Sequence, residues 1–163
     1  MKLPLKYWPD ESLKTKCQSW DFDNVSQELA TIETDMIETM LSEHGIGLAA
    51  NQVGILYRVL VIEVQETKEI IVMYNPEITT SSEETWTARE GCLSFPKIDM
   101  IIGRSKSVTV TWQDKNRIQY TRQFNTIDAK CLSHEIDHLD GITFNEIVSQ
   151  LKFSRAIMNS KKR

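Results

Sequence analysis

His134 and His138 stand four residues apart in the run His134-Glu135-Ile136-Asp137-His138. Residues at that spacing share one face of a helix, so both imidazoles can grip a single metal ion, with Glu135 beside a water activated there. Two histidines on a surface or core helix are the ordinary alternative. Of the chain's 3 histidines only His44 lies outside the run, and a glutamate stands where a proton carrier is needed, so the metal is favoured. His44 itself falls in the last turn of an expected helix, where it can meet the helix dipole.

Catalytic centres of the zinc type have three protein ligands and one open position, so a third ligand is required. The extended metalloprotease pattern would need a histidine at Phe144 and is excluded. Thermolysin-like enzymes take a later glutamate, but no Asp or Glu follows Glu146. A thiolate from upstream is the alternative. Cys131 lies on nearly the same helix face, about 7.5 Å along the axis from a metal held between the histidines, beyond the reach of its short side chain. It reads as a buried packing residue. Cys92, in Glu90-Gly91-Cys92-Leu93-Ser94, sits at an expected strand end beside a glycine that lets backbone or ligand come close, and it is preferred to Cys17, which stays open. A third segment, Gly45-Ile46-Gly47-Leu48-Ala49-Ala50-Asn51-Gln52, offers small residues for close approach. Taken alone it reads as a tight helix-to-strand connection. It is not a phosphate loop, because it follows a helix and lacks the terminal Lys-Ser/Thr.

The elements that must hold these groups follow from periodicity. Leu29, Ile32, Met36 and Met40 predict an amphipathic helix over 24–44, capped by Asp23 or Asn24 and ended by Gly45. Strands are expected at 58–64, at 70–78 with a break at Pro76, at 86–93, and at 108–112 and 118–124, the last two joined as a hairpin across 113–117. Ile127, Cys131, Leu132, Ile136 and Leu139 predict a helix over 126–139 closed by Gly141. A third helix is expected over 151–163, with five basic and no acidic residues. Helix, strands, helix is an α+β order.

At 163 residues, 40% hydrophobic and 26% charged, the composition predicts one globular domain over 1–163 and argues against disorder or a disulfide-stapled miniprotein. A net charge of −4 draws the chain to no nucleic acid as a whole. No apolar run reaches the ~20 residues a membrane span needs, and no secretory signal is read at the N-terminus, so a cytoplasmic monomer without membrane contact is expected. Three widely spaced cysteines suit free thiols or metal ligands in a reducing compartment.

Taken together, Gly-x-Gly-Leu-Ala-Ala-x-Gln at 45–52, Glu-Gly-Cys-Leu-Ser at 90–94 and His-Glu-x-x-His at 134–138, in that order, resemble the peptide deformylase family. The resemblance runs from Trp8-Pro9-Asp10 through Phe144 and implies an α+β fold of antiparallel sheets around the metal helix, with an N-terminal and a C-terminal helix. It implies one divalent metal on Cys92, His134 and His138, Fe2+ in the cell with Zn2+ or Ni2+ able to substitute. It further implies Glu135 as general base and acid, Gln52 and the Leu93 amide as an oxyanion hole, and an ion pair between Glu90 and Arg104. Gly45, Ile46, Gly47, Glu90, Gly91 and Cys131 would meet the substrate. The reaction implied is removal of the formyl group from N-formylmethionyl nascent peptides, with release of formate. A transient ribosome contact through Lys152, Arg155, Lys161, Lys162 and Arg163 is the implied partner surface. Two departures bear on the pocket: Ser133 stands where the family often has Gln, and Lys130 where it often has an apolar residue. The rivals are a general metallopeptidase with an open cleft and a structural metal module closed by a fourth ligand, Cys17 or Cys131.

Overall fold

The computed structural model describes residues 1–163 except Val25. Seven strands follow in chain order: β1 (Gly47–Ala49), β2 (Val59–Glu63), β3 (Ile70–Ser81), β4 (Thr85–Cys92), β5 (Phe95–Ser105), β6 (Ser107–Gln113) and β7 (Gln119–Asn125). The helices are α1 (Ile32–Ser42), α2 (Thr126–Leu139) and α3 (Gln150–Ser160). An antiparallel sheet of spatial order β1-β2-β3-β6-β7 carries α1 and α2, and β4 and β5 pair only with each other as a long ribbon. The α+β architecture expected from the sequence is the one observed.

β2 explains how the helices are held. Leu60 and Ile62 face a cluster with Leu132, Ile136 and Leu139 of α2, while Val59 and Val61 face another with Met36 and Met40 of α1. Both faces of the strand are therefore buried, which is why 59–62 runs apolar instead of alternating. Each such side chain removed from water contributes about 1.5–3 kcal/mol. β6, covered on one face only, does alternate: Val108, Val110 and Trp112 point inward, Thr109 and Thr111 outward. Asp114 ties the turn into β7 by accepting from the Asn116 and Ile118 amides, so the expected hairpin is present.

α2 has the bounds that periodicity predicts. Gly141 ends it at φ +75, and a Cβ there would stand 2.7 Å from the Lys14 carbonyl, so both backbone and space demand glycine. The first helix is shorter than expected. A 3-10 turn at Gln27–Leu29 precedes it, and Asp21 holds an Asx turn instead of helix by accepting from the Asp23 amide and the Asn24 side chain. Its terminator is His44 and not Gly45: His44 takes the left-handed conformation at φ 56, with its N–H on Leu41 O and the Gly45 N–H on Met40 O, the pairing of a Schellman cap. His44 thus lies beyond the last turn.

Two strands were not expected. β1 is three residues of a small-residue run, too short to show a period, and β5 is interrupted by Pro96, Lys97, Asp99 and Gly103. β3 continues past Pro76 through a register shift between Tyr74 and Glu77, where a residue without an N–H is tolerated. At the C-terminus, Ser149 caps α3 by accepting from the Lys152 amide. Ala156, with Phe153, closes a third apolar cluster against Phe95, Met100, Ile102 and Phe144. No helix among the described residues is long and apolar enough to cross a membrane.

Candidate active site

A two-residue turn, Leu93-Ser94, joins β4 to β5 and places Cys92 at the tip of the ribbon, pointed at α2. There Cys92 Sγ lies 3.2 Å from His138 Nε2, and His138 Nε2 lies 3.1 Å from His134 Nε2. All three donor atoms fall within 4.8 Å of one another, and among the described residues no other group of three His, Cys, Asp or Glu side chains converges in this way. Cys131, one turn away, turns its thiol to the Ile46 carbonyl at 3.6 Å, and Cys17 is buried in the core under α2, so neither joins the cluster as a fourth donor.

The protonation states suit a cation. His134 Nδ1 is 2.5 Å from Glu90 Oε1, and Arg104 binds both oxygens of that carboxylate at 2.8 and 2.7 Å. Burial alone would raise the Glu90 carboxyl, but Arg104 and His134 hold it down at about 2. An ionised Glu90 can only accept, so His134 Nδ1 donates to it and Nε2 is the ring atom turned to the cluster. Burial, with His134 adding, holds His138 well below the usual imidazole range and so neutral. Burial opposes a charge on His134, but Cys92 and Glu90 hold its pKa well above the usual imidazole range, so the cluster favours positive charge among its donors. The 3.1 and 3.2 Å spacings are close to the about 3.3 Å edge of a tetrahedron built on ~2.05 Å metal–nitrogen bonds. The three side chains therefore fit a divalent metal.

Arg104 also reaches Asp137 at 2.8 Å, linking the ribbon to α2 through a buried guanidinium. The Arg104–Glu90 pair is dry, so removing one of its partners leaves a buried charge, a cost of about 3–5 kcal/mol. Phe144 sets its ring edge against His134, at 5.6 Å between centroids, and walls the cluster on one side.

Glu135 is buried, and its Oε2 has no hydrogen-bond partner. Burial pushes its carboxyl up to about 7. Gly47 gives it room, since a Cβ there would come within 2.8 Å of Glu135 Oε1 and 2.6 Å of Cys131 Sγ. Gln52 is fixed at both ends of its amide: Oε1 accepts from the Ala49 amide at 2.9 Å, and Nε2 reaches Ser94 Oγ at 3.1 Å and Cys92 Sγ at 3.6 Å. A groove of about 580 Å³ opens on Glu135, His134 and Cys92. Gly45, Ile46, Gly47, Glu90, Gly91 and Cys131, the residues expected to meet substrate, all line it, as does Leu93. A Cβ at Gly91 would meet nothing within 4 Å, so that glycine serves no close approach inside the chain.

Periodicity and motif reading missed three supports. Asn51 clamps the end of α2 by donating to the His138 carbonyl at 2.5 Å, Ser94 holds Gln52, and Asp137 holds Arg104. Each lies inside or beside a motif that drew notice for another residue, and only their buried partners reveal the role.

A donor cluster opening on a groove, carried by an antiparallel sheet and a buried helix, is the architecture of a metallohydrolase. The family model described as polypeptide deformylase matches residues 2–154, and the chain belongs to that family. The peptide deformylase of Wolbachia sp. subsp. Drosophila simulans (strain wRi) is 37% identical over 171 residues, covering 98% of this chain and 94% of the relative. Among solved structures, a peptide deformylase from Legionella pneumophila superposes with a TM-score of 0.90 at 34% identity, covering 99% of this chain and 95% of its own. A Met-Ala-Ser-bound peptide deformylase from Acinetobacter baumannii gives 0.84 at 30% identity, over 91% of this chain and 99% of its own. The chain is thus a metal-dependent hydrolase of protein biosynthesis that removes the N-formyl group from nascent peptides.

Proposed function

We propose that residues 1–163 form one catalytic unit in which Cys92, His134 and His138 hold a divalent metal, ferrous iron in the cell, with zinc or nickel able to replace it. The carrying observation is the convergence of those three donors within 4.8 Å beside Glu135, whose Oε2 is buried without a partner. When bound, the metal supplies Lewis acidity to water and to the formyl carbonyl.

Glu135 takes a proton from the attacking water through Oε2, and its raised pKa lets it hold that proton near neutrality. As oxygen adds to the formyl carbon, Gln52 Nε2 and the Leu93 N–H donate to the oxygen that gains charge, at about 3 kcal/mol per donor. The carbon–nitrogen bond then breaks, Glu135 returns its proton to the nitrogen, and formate and a free amine leave. Gly45, Ile46, Gly47, Glu90, Gly91 and Cys131 shape the groove that takes the N-formylmethionyl end. Anaerobic assay with ferrous iron should release formate from formyl-Met-Ala peptide; no release would overturn the reading.

The enzyme works in this reading as a cytoplasmic monomer, with its three unpaired thiols kept reduced. Transient ribosome contact through α3 and the residues after it rests on exposed Arg155, Lys161 and Lys162; Lys152 bonds the Ile101 carbonyl and Arg163 pairs with Asp99. Charge reversal at those three positions should weaken co-sedimentation with ribosomes at low salt. Truncation is the poorer test, because Phe153 and Ala156 belong to the core.

A further inference from the structure

Lys130 is 8% exposed, yet it lines the catalytic groove. It stands one turn before His134 on the same face of α2, about 6 Å along the helix axis. The formyl group is a single carbon, so the first residue's Cα lies about 2.4 Å from the carbon under attack. Ile46, Ile127, Lys130 and Cys131 all line the groove, and a side chain of methionine's length spans about the same 6 Å that separates His134 from Lys130. Three of those four are weakly polar or apolar, and Lys130 alone brings a charge.

That charge is short of acceptors. An ammonium has three donors, and among the described residues the only acceptor found for Lys130 is the Arg89 carbonyl, with the Trp86 ring centroid 5.7 Å away. Burial holds its pKa below the ordinary lysine range. A hydrocarbon end pressed against this amine would strip its water and return nothing, whereas an oxygen would satisfy it.

We infer that Lys130 fits this groove to take, beside methionine, a first side chain ending in a hydrogen-bond-accepting oxygen, of which the sulfoxide of an oxidised N-terminal methionine has methionine's own length. The inference rests on the deformylase reading above and adds its substrate class. The chemistry is unchanged: water cleaves the formyl C–N bond, formate and a free amine form, and the sulfoxide is neither oxidised nor reduced.

The test compares kcat/KM for formyl-(methionine sulfoxide)-Ala and formyl-norleucine-Ala on the wild type, Lys130→Met and Lys130→Gln. Each ratio is taken on one preparation, so incomplete folding or metal loading cancels. The sulfoxide-to-norleucine ratio should fall about tenfold or more in Lys130→Met, the effect of one hydrogen bond to a charged group, and stay nearer the wild type in Lys130→Gln, whose amide still donates. Equal ratios in the wild type and Lys130→Met would overturn the inference, as would a Lys130→Gln ratio no higher than that of Lys130→Met. If Lys130→Met does not fold, a wild type that prefers norleucine tenfold overturns it alone. A wild type that releases no formate from formyl-Met-Ala overturns the deformylase reading itself.

Discussion

Glu135 and Cys92 are single side chains whose loss should be read separately. Glu135 has an unpartnered oxygen and is no member of the donor cluster, so Glu135→Gln keeps size and hydrogen bonding while removing the base. The variant is expected to fold and retain its metal while kcat for formate release drops by about 10²–10⁴. Metal loss, measured by elemental analysis, would contradict that role. Cys92→Ala should lose most bound metal, whereas Cys131→Ala, with a thiol turned to the Ile46 carbonyl, should keep it. Comparing metal-to-protein ratios in the two variants separates a ligand from a buried packing group.

Between elements, the tightest fit is that of β1 against α2. Gly47 lets the strand lie over Cys131 and Glu135 with no room for a methyl group. Gly47→Ala should therefore push the strand away or turn Glu135 aside, at about 1–3 kcal/mol of stability and with a larger proportional loss of kcat/KM than of folded protein. Thermal unfolding and formate release on the same sample check both parts. The run 45–52 reads in sequence as an ordinary connection because glycine shows that something must come close and says nothing of what. The approaching group lies more than eighty residues along the chain, and only the fold brings it there.

For the molecule as a whole, the cluster is a stability element. A metal held by Cys92, His134 and His138 binds the folded chain and not the unfolded one, so stripping it with a chelator should destabilise the folded state. A metal present at a thousand times its Kd contributes about 4 kcal/mol, which in a chain of this size corresponds to a fall in Tm of about 10 °C on its removal. Calorimetry before and after chelation, with recovery on adding back ferrous or zinc ion, measures this. An unchanged Tm would mean that the three side chains hold no metal.

Local rules determined much of this protein. The spacing in His134-Glu135-Ile136-Asp137-His138, the bounds of α2, the alternation of β6 and β7 and the Gly141 stop all express interactions between near neighbours in the chain. The α+β class followed from their order. Tertiary structure alone decided what depends on distant partners: that Gly47 lies against Cys131 and Glu135, and that Asn51, Ser94 and Asp137 brace the site. The physical reason is the same in each case. A buried polar group or a close-packed glycine is defined by the partner that satisfies or crowds it, and that partner is chosen when the sheet folds over the helix.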